Sequence, residues 1–414
     1  MRIGGKFHLT YCSNIHPGES WQEVRSNLQT YLPAIRQQLS HQGPFGLGLR
    51  LSAEAAKALE TSDNLTEFQS FLADQDCYVF TINGFPYGTF HRARVKEEVY
   101  LPDWRDERRL EYSNRLALIL AGLLPDDPTL EGSVSTVPGA FKQSVQSVED
   151  VSRMTDLLFR HVIFLEKLRR QTGKIISLAL EPEPCCYLET IDETVSFFRH
   201  WVFNPSRLEG LAVELGVSSE EAEVIVRRHL GVCCDTCHMA VEFEKPAAAL
   251  QRLGASAIKI CKVQISSGLK LEFQAGDGRP QELLGPFAES VYLHQVVERS
   301  ARGLRRYVDL PDALARERDE AASAEPQPND RVKEWRVHFH VPIFLKDMQH
   351  FSTTQDYLAE VIDFLKTETV CPYLEVETYT WEVLPDEYKT EDMGSAIIRE
   401  LRWLKERLGG QGEP

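Results

Sequence analysis

The feature that most constrains this chain is a repeated alternation between short β-rich runs and longer segments with helical periodicity. Such alternation is typical of βαβ units, in which parallel strands are connected by crossover helices. Eight strand-like runs can be identified, at residues 6–11, 46–51, 77–82, 133–137, 175–181, 231–235, 258–264 and 373–378. Eight strands with intervening helices predict an α/β fold of the (β/α)8 TIM-barrel type.

The segments between the strands are long enough for crossover helices. Amphipathic stretches occur at 21–39, 53–72, 104–123, 148–170 and 192–201, and a final helix is predicted at 392–407. The 414 residues would suffice for two average domains, but barrels often use about 250 residues or more as one unit. We therefore interpret residues 1–414 as a single decorated barrel.

Two segments break the regular alternation. Residues 207–229 carry Ser218 and Glu221 at capping-box spacing, which predicts two helices that enlarge one crossover. Residues 267–336 contain alternating runs that favour a hairpin-like insertion, and they end in the polar stretch 315–331, which we interpret as a mobile linker. Because this insertion lies between the seventh and eighth strands, it would cover the carboxyl ends of the strands and could act as a lid.

Charge and composition exclude several classes of protein. Acidic residues outnumber basic ones 62 to 46, for a net charge of −16, which disfavours nucleic-acid binding. The N-terminus lacks the apolar run of a signal peptide, and no stretch approaches the roughly 18 apolar residues of a membrane span. The nine cysteines lack the spacing of a secreted disulfide scaffold. We expect a cytoplasmic protein with reduced thiols and no transmembrane segment.

In a barrel of this type the functional residues lie at the carboxyl ends of the strands. Polar residues that directly follow apolar strand runs are therefore the best candidates for site residues. In IISLALEPEP, Glu181 ends a buried run and Pro182 stops the sheet pairing. A buried carboxylate is costly unless it is paired with a cation or ligates a metal. Glu181 is therefore a candidate metal ligand, with a salt bridge to an arginine as the alternative.

The strongest local signal is the sixth strand, GVCCDTCHMAV. Asp235 ends the apolar run, and His238 follows three residues later on the first turn of the next helix. A carboxylate and an imidazole at this spacing suit Zn²⁺, Mn²⁺ or Fe²⁺. Cys234 and Cys237 form a C-x-x-C sequence, but no second cysteine pair accompanies them, and we interpret them as buried structural thiols.

Three further segments supply candidates. The seventh strand brings Lys262 and Gln264 to one face, and the segment RVHFHVPIF does the same for His338 and His340 if it is extended. The last strand carries Glu375 and Glu377 on one face, where two inward carboxylates would repel each other unless a cation lies between them. We predict that Glu375 lies deeper and pairs with Lys262, while Glu377 is a metal ligand, with Gln264, His338 and His340 as further candidate ligands.

Two aromatic-rich loops, NIHPGESW and NGFPYGTFHRARVKEEVYLPDW, should fall on the same face of the barrel. His16, Asn83, Tyr87 and His91 could line a substrate pocket there, although loop packing would explain each residue as well. The sequence contains no dinucleotide-binding, P-loop or serine-hydrolase motif in a strand-to-helix context.

The series Glu181, Asp235-Thr-Cys-His238, a polar residue on strand seven and Glu377 resembles the metal-binding series of the xylose isomerase-like barrels, which include sugar epimerases and the endonuclease IV type. The blocks LTYCSNIHPGESW, INGFPYGTFH, VYLPDW and VHFHVPIF resemble the EboE family, the barrel proteins of Ebo metabolite-traffic operons.

The resemblance implies a TIM barrel with a divalent metal held by Glu181, Asp235 and Glu377. Gln264 stands where those epimerases have a histidine, and His338 or His340 could supply the missing imidazole.

Three functions are consistent with these sequence features. The first is a metal-dependent isomerase or epimerase-like enzyme acting on a small metabolite, with Glu181, Glu377 and Lys262 as candidate catalytic residues. The second is a metabolite-binding carrier that works with other Ebo-type traffic proteins and uses the 267–336 insertion either as a gate or to dock a partner. The third, a metal-dependent phosphodiesterase, follows only from the endonuclease IV analogy and conflicts with the acidic charge.

Overall fold

A computed structural model describes residues 1–39, 43–91, 94–322, 332–348, 350–368 and 370–409. The strands of the described residues, in chain order, are β1 (Arg2–Ile3), β2 (Phe7–Tyr11), β3 (Phe45–Arg50), β4 (Cys77–Asn83), β5 (Gly132–Thr136), β6 (Ile176–Leu180), β7 (Leu230–Asp235), β8 (Lys259–Ile265), β9 (Ser267–Gln274), β10 (Val296–Ser300), β11 (Gly303–Tyr307), β12 (Val332–Val341), β13 (Asp347–Met348), β14 (Phe351–Thr353) and β15 (Tyr373–Val376).

The helices alternate with these strands as the sequence predicts. They are α1 (Trp21–Leu39), α2 (Ala53–Leu59), α3 (Ser62–Asp74), α4 (Glu107–Leu123), α5 (Val148–Thr172), α6 (Ile191–Phe197), α7 (Pro205–Leu215), α8 (Ser219–His229), α9 (Thr236–Val241), α10 (Pro246–Ala255), α11 (Arg279–Leu284), α12 (Leu310–Ala322), α13 (Gln355–Thr367) and α14 (Met393–Arg407).

Eight parallel strands form the barrel, which confirms the predicted fold. The sheet order is β2-β15-β8-β7-β6-β5-β4-β3, and a parallel bridge between Cys12 and Gly48 brings its two ends together. The short strand β1 adds to β2 in antiparallel fashion. Strands such as β3, β5, β6 and β7 are buried along their whole length, because crossover helices cover the outer face of a parallel sheet.

Local sequence signals fix the ends of the crossover helices. Helix α5 begins at a capping box in which Ser147 and Asp150 bond each other's backbone, and it ends at Gly173, whose φ of 74° is left-handed. The segment 207–229 forms α7 and α8 as predicted, with Ser218 capping α8. The stretch predicted as one helix at 53–72 is instead two helices, because the chain turns at 60–61.

The inserted segment forms a second, antiparallel sheet with the strand order β11-β10-β12-β9-β14-β13. It starts at Ser267, directly after β8, and continues past residue 336 to Thr353. The sheet lies at the carboxyl ends of the barrel strands. Arg336 of β12 donates to the Ala240 carbonyl of α9 at 2.7 Å, and Arg306 of β11 forms an ion pair with the buried Glu242.

The polar stretch 315–331, predicted as a mobile linker, is ordered in its first part. Residues 315–322 belong to helix α12, and the buried Glu317 binds Lys333 of β12 at 2.6 Å. The linker interpretation is therefore wrong for residues 315–322, because the helix packs a charged pair against the sheet. Residues 323–331 lie outside the described residues. None of the described helices is long and apolar enough to cross a bilayer.

Candidate metal centre

Asp235 lies where β7 ends and α9 begins, and only one of its two carboxylate oxygens accepts hydrogen bonds. Its Oδ1 atom accepts hydrogen bonds from the backbone N–H groups of Cys237 at 2.7 Å and His238 at 3.0 Å, and from Ser266 Oγ at 2.6 Å. This arrangement caps the helix and fixes the carboxylate. The second oxygen, Oδ2, is buried and has no hydrogen-bond partner. Burial would raise the pKa of Asp235, but the neighbouring His238 and His340 outweigh it and lower that pKa.

Three imidazoles from two different parts of the fold meet beside Asp235. His238 belongs to α9, whereas His338 and His340 lie on β12 of the inserted sheet. Each ring has its Nδ1 against an oxygen that can only accept a hydrogen bond: the Pro182 carbonyl at 3.0 Å, the Gln295 side-chain oxygen at 2.7 Å and the Glu377 carbonyl at 3.0 Å, respectively. In the neutral rings Nδ1 therefore carries the hydrogen and Nε2 keeps its lone pair.

The three Nε2 atoms face one another and Asp235. His238 Nε2 lies 3.0 Å from His338 Nε2, and His340 Nε2 lies 3.9 Å from Asp235 Oδ2. Burial lowers the pKa of His338 well below its usual value and that of His340 to about 4, so both rings are neutral near pH 7. Donation of one ring N–H to a carbonyl while the other nitrogen stays free is the usual arrangement of a metal-binding histidine.

Two buried glutamates complete the cluster. Glu181 follows β6, and its Oε2 atom has no hydrogen-bond partner among the described residues. Glu377 follows β15, and its Oε1 atom accepts hydrogen bonds from Asn14 Nδ2 at 2.7 Å and Asn83 Nδ2 at 2.8 Å. Burial, followed by the charge of a neighbouring carboxylate, raises the pKa of both glutamates well above the usual range.

These residues fit a divalent cation. Glu181 Oε2, Asp235 Oδ2 and His340 Nε2 are buried polar atoms without partners, and such atoms are rare in native proteins because each costs free energy. Ligand atoms of Glu181, Asp235 and His238 lie within 4.8 Å of one another, as do those of His238, His338 and His340. Carboxylate oxygens together with neutral imidazoles form a ligand set for Zn²⁺, Mn²⁺ or Fe²⁺.

Below the cluster, Lys262 and Glu375 form an ion pair in which both side chains are completely buried. The predicted pairing of these two residues is confirmed. Burial alone would lower the pKa of Lys262, but Glu375 raises it, so the ammonium group stays charged. Gln264 is buried beside them, and its side-chain oxygen accepts from Cys233 Sγ at 2.7 Å, while its Nε2 has no partner.

A cleft of about 520 Å³, part of it open to solvent, opens over the cluster. Its floor is polar and includes Asn14, Asn83, Glu181, His238 and Glu377. Its walls come from the loop after β4, from the segment before β10 and from the turn after β15, and they are mostly apolar: Phe85, Pro86, Phe90, Val95, Val99, Tyr100, Tyr292, Leu293 and Tyr379. The cleft can therefore hold a small molecule with its polar side toward the candidate ligands.

The four residues predicted to line a substrate pocket do not share one position. Asn83 lines the cleft and binds Glu377. His16 stacks on Tyr31 with ring centroids 4.5 Å apart, Tyr87 packs against Tyr112, and His91 Nε2 donates a hydrogen bond to the Asn14 carbonyl oxygen at 2.8 Å. Of the four, only Asn83 is among the described residues that line this cleft.

Several residues of the site were not singled out from the sequence. Asn14 and Tyr379 line the cleft, and Tyr379 Oη lies 3.4 Å from His338 Nε2. Glu183 accepts from Tyr100 Oη at 2.8 Å and from Gln295 Nε2 at 3.2 Å. The repeated Glu-Pro of EPEP after β6 points to Glu183, because it places a second glutamate near the end of the same strand. The amide residues Asn14 and Gln295 lie in loops without any periodic pattern.

No family model matches the sequence, and no curated protein matches it. Solved structures do match: a xylose isomerase domain protein from Planctomyces limnophilus has a TM-score of 0.51 at 11% identity, over 98% of this chain and 100% of that chain. The chain has the fold of a xylose isomerase-like TIM barrel.

Two other solved structures that match this chain contain a bound metal. The IOLI protein with a bound zinc atom has a TM-score of 0.47 at 10% identity, over 98% of this chain and 100% of that chain. A xylose isomerase-like TIM-barrel protein from Mycobacterium smegmatis in complex with magnesium has a TM-score of 0.47 at 12% identity, over 99% of each chain.

Proposed function

We propose that this protein is a metal-dependent enzyme of the isomerase or epimerase kind that acts on a small metabolite. The observation that carries the proposal is the convergence of buried, unpartnered ligand atoms from Glu181, Asp235 and His340 at the carboxyl ends of the barrel strands. Barrel enzymes carry out their chemistry at this end. The lone pairs of His238 and His338, which face each other at 3.0 Å, give the same reason for a cation.

The candidate ligands are Glu181, Asp235, His238, His338, His340 and Glu377. When bound, a divalent cation would supply Lewis-acid polarisation of a substrate carbonyl. Two amide groups hold Glu377 Oε1 in place, so its carboxylate is fixed before substrate arrives. Gln264 keeps its oxygen bound to Cys233, which makes it a weaker candidate ligand.

The proton-transfer role falls to Glu181. In this proposal one oxygen of the Glu181 carboxylate would ligate the cation, and the other would accept a proton from the substrate carbon next to the carbonyl and return it. The Lys262 ammonium group is paired with Glu375 and adds positive charge near Glu181 and Glu377, although Lys262 itself does not line the cleft. The apolar walls exclude water from the reacting atoms.

The finer assignment, an EboE-type protein linked to the processing or traffic of a secondary-metabolite precursor, rests on the sequence blocks. Each of the four EboE-like blocks contributes to the site. The first supplies Asn14, the second supplies Asn83, the third supplies Tyr100, and the fourth supplies His338 and His340. Working partners among Ebo-type proteins are part of the same proposal.

The carrier hypothesis uses the same cleft, and in it the inserted segment either moves as a gate or docks a partner. The involvement of His338 and His340 in the cluster speaks against free movement of that sheet. The phosphodiesterase hypothesis has less support, because the cleft is lined by carboxylates and would repel a phosphate backbone.

The test combines metal analysis with an exchange assay. Purified wild-type protein, the double variant Glu181→Gln/Asp235→Asn and the single variant His338→Ala are compared for bound zinc, manganese and iron, with the exposed Glu209→Gln in α7 as the control. We expect metal in the wild type and control, and loss of metal in both site variants. Equal metal content in all four proteins would overturn the site.

Turnover is measured separately, as deuterium uptake from D2O at the carbon next to the carbonyl in a panel of unphosphorylated ketoses and keto-cyclitols. Metal-dependent uptake that Glu181→Gln abolishes supports an enzyme. Tight binding of a panel member without any uptake would instead support the carrier.

A further inference from the structure

The cleft over the candidate metal centre offers no free positive charge. Three carboxylates line it, those of Glu181, Glu183 and Glu377. Among the described lining residues, Lys96 is the only lysine or arginine, and its Nζ binds Asp309 at 2.5 Å and the Tyr292 carbonyl at 2.7 Å. A phosphate or carboxylate on a ligand would therefore enter a negative environment with no side chain free to neutralise it.

One wall of the cleft is a compact aromatic group. The rings of Phe90, Tyr292 and Tyr379 pack against one another with centroids 5.1 to 5.3 Å apart. Tyr379 also contacts His340 with ring centroids 4.7 Å apart, so this aromatic wall directly adjoins the candidate ligands. A molecule bound to the cluster must therefore present part of its surface to this wall.

The apolar surface continues out of the cleft. Pro86, Val95 and Val99 line both the cleft and a larger neighbouring surface groove. That groove also includes Pro102 and Leu101, which is 55% exposed, together with the charged side chains of Arg94, Glu98 and Arg108. A large exposed apolar side chain next to a binding cleft often marks a ligand-binding surface. An apolar substituent longer than one ring could thus follow this path from the aromatic wall to the surface.

We infer that the site takes an uncharged molecule whose vicinal oxygens face the candidate metal ligands and whose opposite side carries an aromatic or alkyl substituent packed against Phe90, Tyr292 and Tyr379. The polar half of this ligand rests on the proposed function, whereas the apolar half rests on the wall itself. We expect phosphorylated sugars and sugar acids to bind less tightly, because the described lining residues offer no free lysine or arginine to an anionic group.

The experiment uses the full-length, metal-loaded protein and measures binding by calorimetry. The probes are methyl, phenyl and hexyl β-glycosides of glucose, galactose and xylose, together with glucose 6-phosphate and glucuronic acid. Burial of a phenyl or hexyl group should tighten binding about tenfold or more over the methyl glycoside. Phe90→Ala should remove most of that advantage, so that the phenyl and hexyl glycosides bind little more tightly than the methyl glycoside, whereas Val213→Ala, on the exposed face of α7, should leave the advantage intact.

Tighter binding of either anionic probe than of the neutral glycosides would overturn the inference. Equal affinity for methyl, phenyl and hexyl glycosides, or no binding by any glycoside, would also overturn it. Metal content is measured on the same samples. If the protein retains metal but does not show the expected glycoside affinities, only the inference about the ligand is wrong. If the protein binds no metal, the proposed function is wrong.

Discussion

The Nε2 atoms of His238 and His338 lie 3.0 Å apart, although one ring belongs to a barrel helix and the other to the inserted sheet. Because both Nδ1 hydrogens go to carbonyl oxygens, two lone pairs face each other at this distance. Such a contact is repulsive until a cation or a proton lies between the rings. The inserted sheet is therefore a structural part of the candidate centre.

Gln295 should control metal affinity without touching the metal. Its side-chain oxygen accepts from His338 Nδ1 at 2.7 Å, and its Nε2 donates to Tyr100 Oη at 2.8 Å. Removal of such a supporting partner typically weakens metal binding by about 10–100-fold. We expect Gln295→Ala to show this loss in a competition titration with a chelator, while the exposed Gln69→Ala leaves the affinity unchanged. Equal affinities for the two variants would contradict the role of Gln295.

Removal of one partner of the ion pair between Lys262 and Glu375 should destabilise the protein strongly, whereas replacement of both partners by apolar residues should destabilise it much less. Both side chains are completely buried, so Lys262→Met leaves an unpaired carboxylate in the barrel. We expect a loss of about 3–5 kcal/mol in the free energy of unfolding. The double variant Lys262→Met/Glu375→Leu should recover most of that loss in denaturant titrations. A double variant no more stable than the single one would argue against an electrostatic cause.

Gly48 should not tolerate even one added carbon. A Cβ atom there would lie 2.8 Å from the Tyr11 carbonyl oxygen and nearer still to Glu375 Oε1, at the point where the barrel closes. We expect Gly48→Ala to lower the free energy of unfolding by about 1–3 kcal/mol or more, because the surrounding backbone cannot move aside. Gly210, in the exposed middle of α7, has open space around it. Gly210→Ala should therefore raise stability by about 0.5–1 kcal/mol in the same urea titration.

His161 should make the protein less stable in acid. It is buried in α5 with its Nδ1 2.6 Å from Asn114 Oδ1, and burial lowers its pKa to about 3 from 6.5. The contribution of its buried neutral ring to the free energy of unfolding is complete above pH 6.5 and is lost as the pH falls toward 3. The reason is that over this range the unfolded chain binds a proton at His161 and the folded chain does not.

Between pH 7 and pH 5 this amounts to about 2 kcal/mol. His161→Gln should show a decline in unfolding free energy smaller by that amount, and the exposed His200→Gln should follow the wild type. Parallel pH profiles for all three proteins would contradict the assignment.

The sequence predicts the barrel because the pattern that defines a parallel strand is local. An apolar run followed by a polar residue identifies the ends of β6 and β7, and hence Glu181, Asp235 and His238, without any tertiary information. The pairing of Lys262 with Glu375 follows equally from alternation along two neighbouring strands.

The remaining parts of the site depend on how loops fold over the barrel. Asn14, Gln295 and Tyr379 lie outside the strands and α-helices, and no periodic pattern distinguishes such residues from other loop residues. The same holds for His16 and His91, whose loops turn their rings toward neighbouring protein groups. Helix α12 was missed because its buried charges, such as Glu317, resemble the composition of a polar linker.

The hydrogen bond from Asn14 to Glu377 joins residues that are 363 positions apart. During synthesis Asn14 leaves the ribosome long before its partner exists, and the candidate metal centre cannot be assembled until residue 377 has been translated. Contacts of such long sequence separation also slow folding. A cation bound by this centre would therefore be acquired only after residue 377 has been made, and the availability of metal at that time would govern how many of the sites are filled.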